Sequence, residues 1–166
     1  LGTEVMGGKY FPTELGVNVP LLVRWPGTIE AGGVSDALVD LTDIFPTLCD
    51  LAGTQLPKNV KLDGRSLVPI FRGEDQPEPK SFIWSWGNFE QNSLKYKTPQ
   101  RYADELLDVV RNQRWKLYSD DRLFDLAVDF LEQNPVAAGS SEEADAARKS
   151  LSDSRAALRA SEPKEW

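Results

Sequence analysis

The chain has no histidine, one cysteine and one methionine among 166 residues. Each scarcity closes a route. Without histidine the chain can offer no imidazole to any site it shares in. Cys49 alone excludes an internal disulfide, so cysteine usage does not identify a redox compartment. No apolar run approaches the length of a membrane span, and there is no Asn-x-Ser/Thr acceptor for glycosylation. Leu1 is not preceded by methionine and no charged-then-apolar leader follows it, a start expected of a processed, truncated or cloned segment. What is abundant is negative charge. The formal net charge of −7 argues against nucleic acid or an anionic membrane as the main partner. An anionic ligand would have to be met by local cations. Hydrophobic content of 40% and charged content of 27% fit a globular protein of one domain, or a piece of a larger one.

Hydrophobic periodicity organises the rest. Residues 1–18 are glycine-rich and polar and read as a loop. Residues 19–25 form a continuous apolar, β-branched run, the pattern of a strand buried on both faces, closed by Pro26-Gly27. A turn at Gly32-Gly33 and a short strand over 37–41 follow. Thr42 or Asp43 is expected to cap a helix running to about Ala52, with Ile44, Phe45, Leu48, Leu51 and Ala52 on one face and Gly53 past its end. Residues 56–65 read as a loop, 67–71 as a brief helical segment limited by Pro69, and 73–80 as a connector. Strands are expected over 81–86, 106–111, 114–118 and 122–126, the last three forming a meander with turns at Asn112-Gln113 and Ser119-Asp120-Asp121. Ser140 with Glu143 spells a capping box for a helix to about Ala160, striped by Ala144, Ala147, Leu151 and Leu158.

The chemistry-bearing candidates are few. Lys9 follows two glycines and precedes the apolar run. It reads either as an ammonium delivered to an anion or as an ordinary solvated loop lysine. A phosphate-binding P-loop fails, because Thr3 stands where glycine is needed and Tyr10 where Ser or Thr is needed. Asp40, Asp43 and Asp50 lack the spacing of a calcium loop and read as a cap and solvent-facing carboxylates. Cys49 reads as a small helix-packing residue. Alternation puts Trp84 and Trp86 on one face of a strand, as core packing or as a wall for a substrate ring.

The pattern Lys9, Glu14, Gly16, Val19-Pro20, then Trp25-Pro26-Gly27, resembles the arylsulfatases, of the alkaline-phosphatase-like superfamily. So, in order, do Val39–Leu48, the loop Leu62-Asp63-Gly64-Arg65-Ser66-Leu67, and Arg114–Tyr118 with Leu123–Leu126. Two positions depart from that pattern. Tyr10 replaces a glycine, and Asn18 stands where many members carry a basic residue or histidine. The resemblance covers the chain from about Gly2 to Pro135 and implies the C-terminal portion of a sulfatase. It implies an α/β fold: residues 1–80 complete the edge of the large sheet of the catalytic domain, and 81–166 form a small antiparallel sheet with a packing helix. It gives Lys9 the role of binding a sulfate ester. It implies a formylglycine nucleophile, made from a Cys/Ser-x-Pro-x-Arg motif, and a calcium site. Neither motif nor ligand set occurs here, since Cys49 has neither the proline nor the arginine. No catalytic or metal-ligating residue is therefore assigned within the chain. The implied partners are a sulfated small molecule or glycan and the remainder of a sulfatase chain, with a periplasmic, secreted or lysosomal setting for the parent. Two alternatives stay open: a phosphatase or phosphonate hydrolase of the same superfamily, and a non-catalytic binding module. The isolated chain is expected to be oligomeric or partly disordered over 1–18, with its ordered core in the C-terminal half.

Overall fold

The computed structural model describes residues 12–74, 82–86 and 107–160, with backbone alone at 82–86 and at 107. The chain groups into two units, one of Leu21–Lys80 and one of Leu1–Pro20 together with Ser81–Trp166.

In the second of these, four antiparallel strands lie in sequence order: β1 (Phe82–Trp86), β2 (Leu107–Arg111), β3 (Trp115–Tyr118) and β4 (Leu123–Asp125). The strands expected from alternation are all present, each trimmed by a residue or so where the turns begin. The β2–β3 turn is closed by Asn112, whose side-chain oxygen accepts from the amides of Arg114 and Trp115. At the β3–β4 turn Asp121 adopts φ 69°, a left-handed conformation that Asp tolerates better than most residues.

Because side chains alternate, the register sorts this sheet into two buried faces. Val110, Leu117 and Leu123 pack with Ala144, Ala147 and Leu151 of the long helix Glu142–Ala160. The other face carries Val109, Tyr118 and Phe124, joined by Leu126. Burying each larger apolar side chain stabilises by about 1.5–3 kcal/mol. The helix starts one residue later than the Ser140–Glu143 box predicts. Ser141 is the cap, its hydroxyl accepting from the Ala144 amide, and Glu143 turns outward to Arg114. Arg159 pairs with Asp108 and fixes the helix's far end to β2.

Pro12–Val17 belongs to the same unit. Glu14–Val17 form a single helical turn, α1, where the sequence reads as loop.

The Leu21–Lys80 unit holds α2 (Ile44–Leu51), preceded by a 3-10 turn at Leu41–Asp43, and α3 (Val68–Phe71). The long helix of the other unit is then α4. Two strand expectations fail. Residues 19–25 make no ladder among the described residues, and Val19 is 71% and Leu22 91% exposed. A run buried on both faces needs a neighbouring strand on each side, and no described strand is available to it. The closing turn is correct: the Thr28 amide bonds the Trp25 carbonyl, with Pro26 and then Gly27 at φ 83°. Residues 37–40 form no strand among the described residues and lead into the cap.

Asp43 stands at the N-cap position of α2, as expected, but the side-chain cap is Asp40, at the start of the 3-10 turn. Its carboxylate accepts from the Thr42 amide, while Asp43 reaches back to the Asp40 amide at 2.9 Å. Asp43 is fully buried, not solvent-facing, and its other oxygen accepts from the Arg65 amide. The apolar face read for α2 is also inverted. Phe45, Leu48 and Leu51 are exposed, and Pro46, Thr47 and Cys49 are buried. The buried side is the one that binds the 64–68 loop. The Thr47 hydroxyl donates to the Asp43 carbonyl and accepts from the Leu67 amide, and the Ser66 hydroxyl donates to Asp50. Cys49 is buried in α2, as expected.

Gly64 shows how close this approach is. A Cβ there would stand 1.9 Å from the Thr42 carbonyl oxygen. The Asp43–Arg65 bond ties the two segments together beside this contact. We expect Gly64→Ala to destabilise the Leu21–Lys80 unit by about 2–4 kcal/mol, the range of overpacking joined to a lost buried bond. Urea unfolding of the variant against the wild-type chain measures it, and equal midpoints would refute the contact.

Candidate functional site

Lys9, the candidate anion ligand, lies outside the described residues. Trp84 and Trp86 are described by backbone alone, standing opposite Val109 and Leu107 in the β1–β2 ladder. What the structure does show is the segment that begins at Pro12, three residues after Lys9, and what holds it.

Pro12 is buried, and Glu14 is 1% exposed. Arg111 and Lys116 face each other directly across the β2–β3 ladder. Like charges so placed repel. Two carboxylates relieve them. Glu14 takes Arg111 on one oxygen at 2.5 Å and the Lys116 ammonium on the other at 3.0 Å. Glu132 approaches the same ammonium at 2.8 Å and also accepts from the Glu14 amide at 2.7 Å. The third oxygen around Lys116 is the Pro12 carbonyl at 2.7 Å. The Tyr118 hydroxyl donates to the second Glu132 oxygen and lies 3.3 Å from the Pro12 carbonyl. Lys116 is fully buried.

Two cations and two carboxylates thus share one interior site with formal charges that cancel. Such a cluster is tolerable only because each charge is met by an opposite charge or a hydrogen bond. Glu14 and Lys116 enter the sequence reading only as pattern positions, and Arg111 and Glu132 are not singled out there. One signal was available. Trp115-Lys116-Leu117-Tyr118 places large rings or apolar groups at both alternation phases, so both faces of that strand had to be covered. A lysine within it then needs a buried partner.

A second ionic site lies nearer the surface. Arg114 grips Asp125 with Nε at 2.9 Å and a terminal nitrogen at 2.7 Å, stacks on Trp115 and reaches Glu143. The Arg114 hydrogen bond, helped by the Ala127 amide, holds the Asp125 carboxyl below its usual range in spite of burial. Arg114 is correspondingly raised, mainly by the same bond.

Among the described residues no group of three His, Cys, Asp or Glu could hold a metal ion. Asp40 and Asp43 are occupied with backbone amides and Asp50 with Ser66. The Cys49 thiol is buried in mid-helix. These residues do not fit a calcium site or a formylglycine position. No helix among the described residues is long and apolar enough to cross a membrane.

The architecture has a counterpart. It superposes with TM-score 0.62 on a solved protein in complex with its substrate D-glucosamine-2-N,6-O-disulfate, at 22% identity, covering 86% of this chain and 29% of that one. At that identity the likeness shows the fold alone, a small antiparallel sheet with packed helices. Residues 7–155 match the family of N-sulphoglucosamine sulphohydrolase, C-terminal, and the chain belongs to that family. Its relatives are sulfatases. It is 38% identical to the steryl-sulfatase of Homo sapiens over 90 residues, which are 54% of this chain and 15% of that protein. It is 30% identical to the ulvan-active sulfatase of Formosa agariphila over 131 residues, 78% of this chain and 23% of that protein. The chain therefore spans less than a quarter of either relative.

The Arg114–Asp125 pair predicts a pH effect of definite sign. A carboxyl whose folded-state pKa lies below its unfolded value adds stability at pH above the unfolded value, near 4. That contribution fades as pH falls through the lower, folded value. The stability difference between wild type and Asp125→Asn should be largest at pH 6–7 and shrink steadily below about pH 4. Urea titrations across that range decide it; a difference independent of pH would mean Asp125 adds nothing through its charge.

Proposed function

We propose that the chain is the C-terminal part of a sulfatase that hydrolyses sulfate esters, and that Lys9 binds the ester's sulfate group. The family match beginning at residue 7, two residues before Lys9, carries this reading. The chain's geometry supports it, because the segment that follows Lys9 is anchored to a buried, hydrogen-bonded frame. On this reading residues 1–80 belong to the catalytic domain and 81–166 form the small C-terminal subdomain.

Lys9 contributes charge. A lysine ammonium is a compact donor of three hydrogens, suited to the oxygens of a sulfate whose charge grows as the ester bond breaks. A formylglycine hydrate and calcium would supply the nucleophile and further neutralisation, from residues other than those described. Trp84 and Trp86 are proposed as a wall beside the substrate's organic part. The substrate class is a sulfated small molecule or glycan, and the remainder of a sulfatase chain is the partner.

The test has two arms. The 166-residue chain alone should not turn over a chromogenic aryl sulfate, because one cation gives little without a nucleophile placed against it. In the full-length enzyme Lys9→Ala should lower kcat/KM by about 10²-fold, and Lys9→Arg should restore it only in part. Wild-type kinetics in Lys9→Ala would make Lys9 an ordinary loop residue.

A further inference from the structure

Four buried ionisable side chains, Glu14, Arg111, Lys116 and Glu132, have no part in the chemistry just proposed. Stability alone does not account for them. A well-packed apolar cluster of similar volume often holds a fold as well, since desolvating charges costs about as much as their pairing returns. What an apolar cluster cannot do is hold one backbone carbonyl in a set place and direction.

We propose that Lys116 is a positioning residue for Lys9, acting through the Pro12 carbonyl and Glu14. This rests on the reading of Lys9 as the sulfate ligand. The chain just after Lys9 is held at three points: the Pro12 carbonyl by Lys116, the Glu14 side chain by Arg111 and Lys116, and the Glu14 amide by Glu132. Every one of these holders is about a hundred residues away in sequence, so the anchor is tertiary and not local. Lys9 and Pro12 are three residues apart, and three peptide units span at most about 11 Å. Fixing Pro12 therefore bounds where the Lys9 backbone can go. A loop lysine that must be ordered at binding loses affinity to that ordering; one ordered in advance does not. The cluster's charges cancel, so it anchors the segment without itself presenting net charge to an anion.

The experiment uses the full-length enzyme carrying this segment. Lys116→Met alone leaves two buried carboxylates with one cation, and folding can fail. The charge-balanced pair Lys116→Met with Glu132→Gln avoids this, and Tyr118→Phe, which removes only a hydroxyl, is the milder second variant. Amide exchange and kinetics with a chromogenic aryl sulfate are measured for each, in the Lys9 and Lys9→Ala backgrounds. In the balanced pair, protection in β2–β4 and α4 should persist. The Gly16, Val17 and Asn18 amides, which close the α1 turn, should exchange at least about tenfold faster. The kcat/KM should fall at least about tenfold, and about threefold in Tyr118→Phe. Both losses should vanish when Lys9 is already alanine, the mark of two residues acting as one. A loss that persists undiminished in Lys9→Ala overturns the positioning role while leaving Lys9 as ligand. Unchanged kinetics in a variant whose α1 amides exchange faster overturns it too. Wild-type kinetics in Lys9→Ala itself would sink the ligand reading, and the positioning role with it.

Discussion

The burial of the Lys116 ammonium governs how this chain is arranged. A charge with no exposure cannot be left to water, so oxygens must be brought to it. The sheet supplies none, because the residue opposite Lys116 is Arg111, a second cation. The oxygens come from two segments that strand pairing alone would never place there: Pro12–Glu14 from far upstream and Glu132 from beyond β4. The Glu14 amide closes the arrangement by donating to Glu132, so the two acidic segments also hold each other. One electrostatic requirement thus draws two separate stretches of chain to one face of β2–β4. The opposite face needs no such device, because Val110, Leu117 and Leu123 meet the apolar side chains Ala144, Ala147 and Leu151 of α4.

The Leu21–Lys80 unit solves a different problem by different means. Its central contact is backbone against backbone, with Gly64 lying over the Thr42 carbonyl. The polar groups around it are satisfied in sequence: Asp43 takes two amides, and Thr47 both donates and accepts. Hydrogen bonds of this buried kind are worth about 1 kcal/mol each when made and more than that when broken. Each residue of the Gly64-Arg65-Ser66 loop has a place in this contact. Glycine permits the approach, Ser66 bonds Asp50 and receives the Val68 amide, and α3 begins there.

How legible each element was in the sequence depended on how local its causes were. The meander depends on alternation and on Asn and Asp turn chemistry, which act within a few residues, and its strands and turns stand where the pattern puts them. The side-chain caps slipped by one to three residues. Asp40, Thr42 and Asp43 can all cap, and the choice falls to Asp43's second bond, to Arg65, 22 positions away. Residues 19–25 and the Phe45–Leu48 face of α2 have an apolar pattern whose complement is not supplied by any described element. Periodicity reports that a face is fit for burial, not that a partner is present. The ionic cluster was least legible of all. A lysine in a strand is ordinarily solvent-facing, and nothing within ten residues of Lys116 reveals Glu14.

That cluster also alters what the resemblance to sulfatases means in physical terms. Glu14 and Gly16 in the pattern after Lys9, and Arg114–Tyr118 a hundred residues later, look in sequence like two separate signatures. In the structure they are the two sides of one contact, since Glu14 accepts the ammonium of Lys116. Co-occurrence of these patterns in order is then the expected trace of a single constraint. A chain that keeps a buried lysine in β3 must keep the carboxylate and carbonyl that neutralise it. Losing either side alone would strand a charge in the interior, at a cost of about 3–5 kcal/mol, a fifth or more of what a domain of ordinary stability has to spare. Losing both together, with apolar replacements, need not lower stability at all. Stability alone therefore does not single out the pair, and what the pair adds is direction: the Pro12 carbonyl, the Glu14 side chain and the Glu14 amide are all held in place.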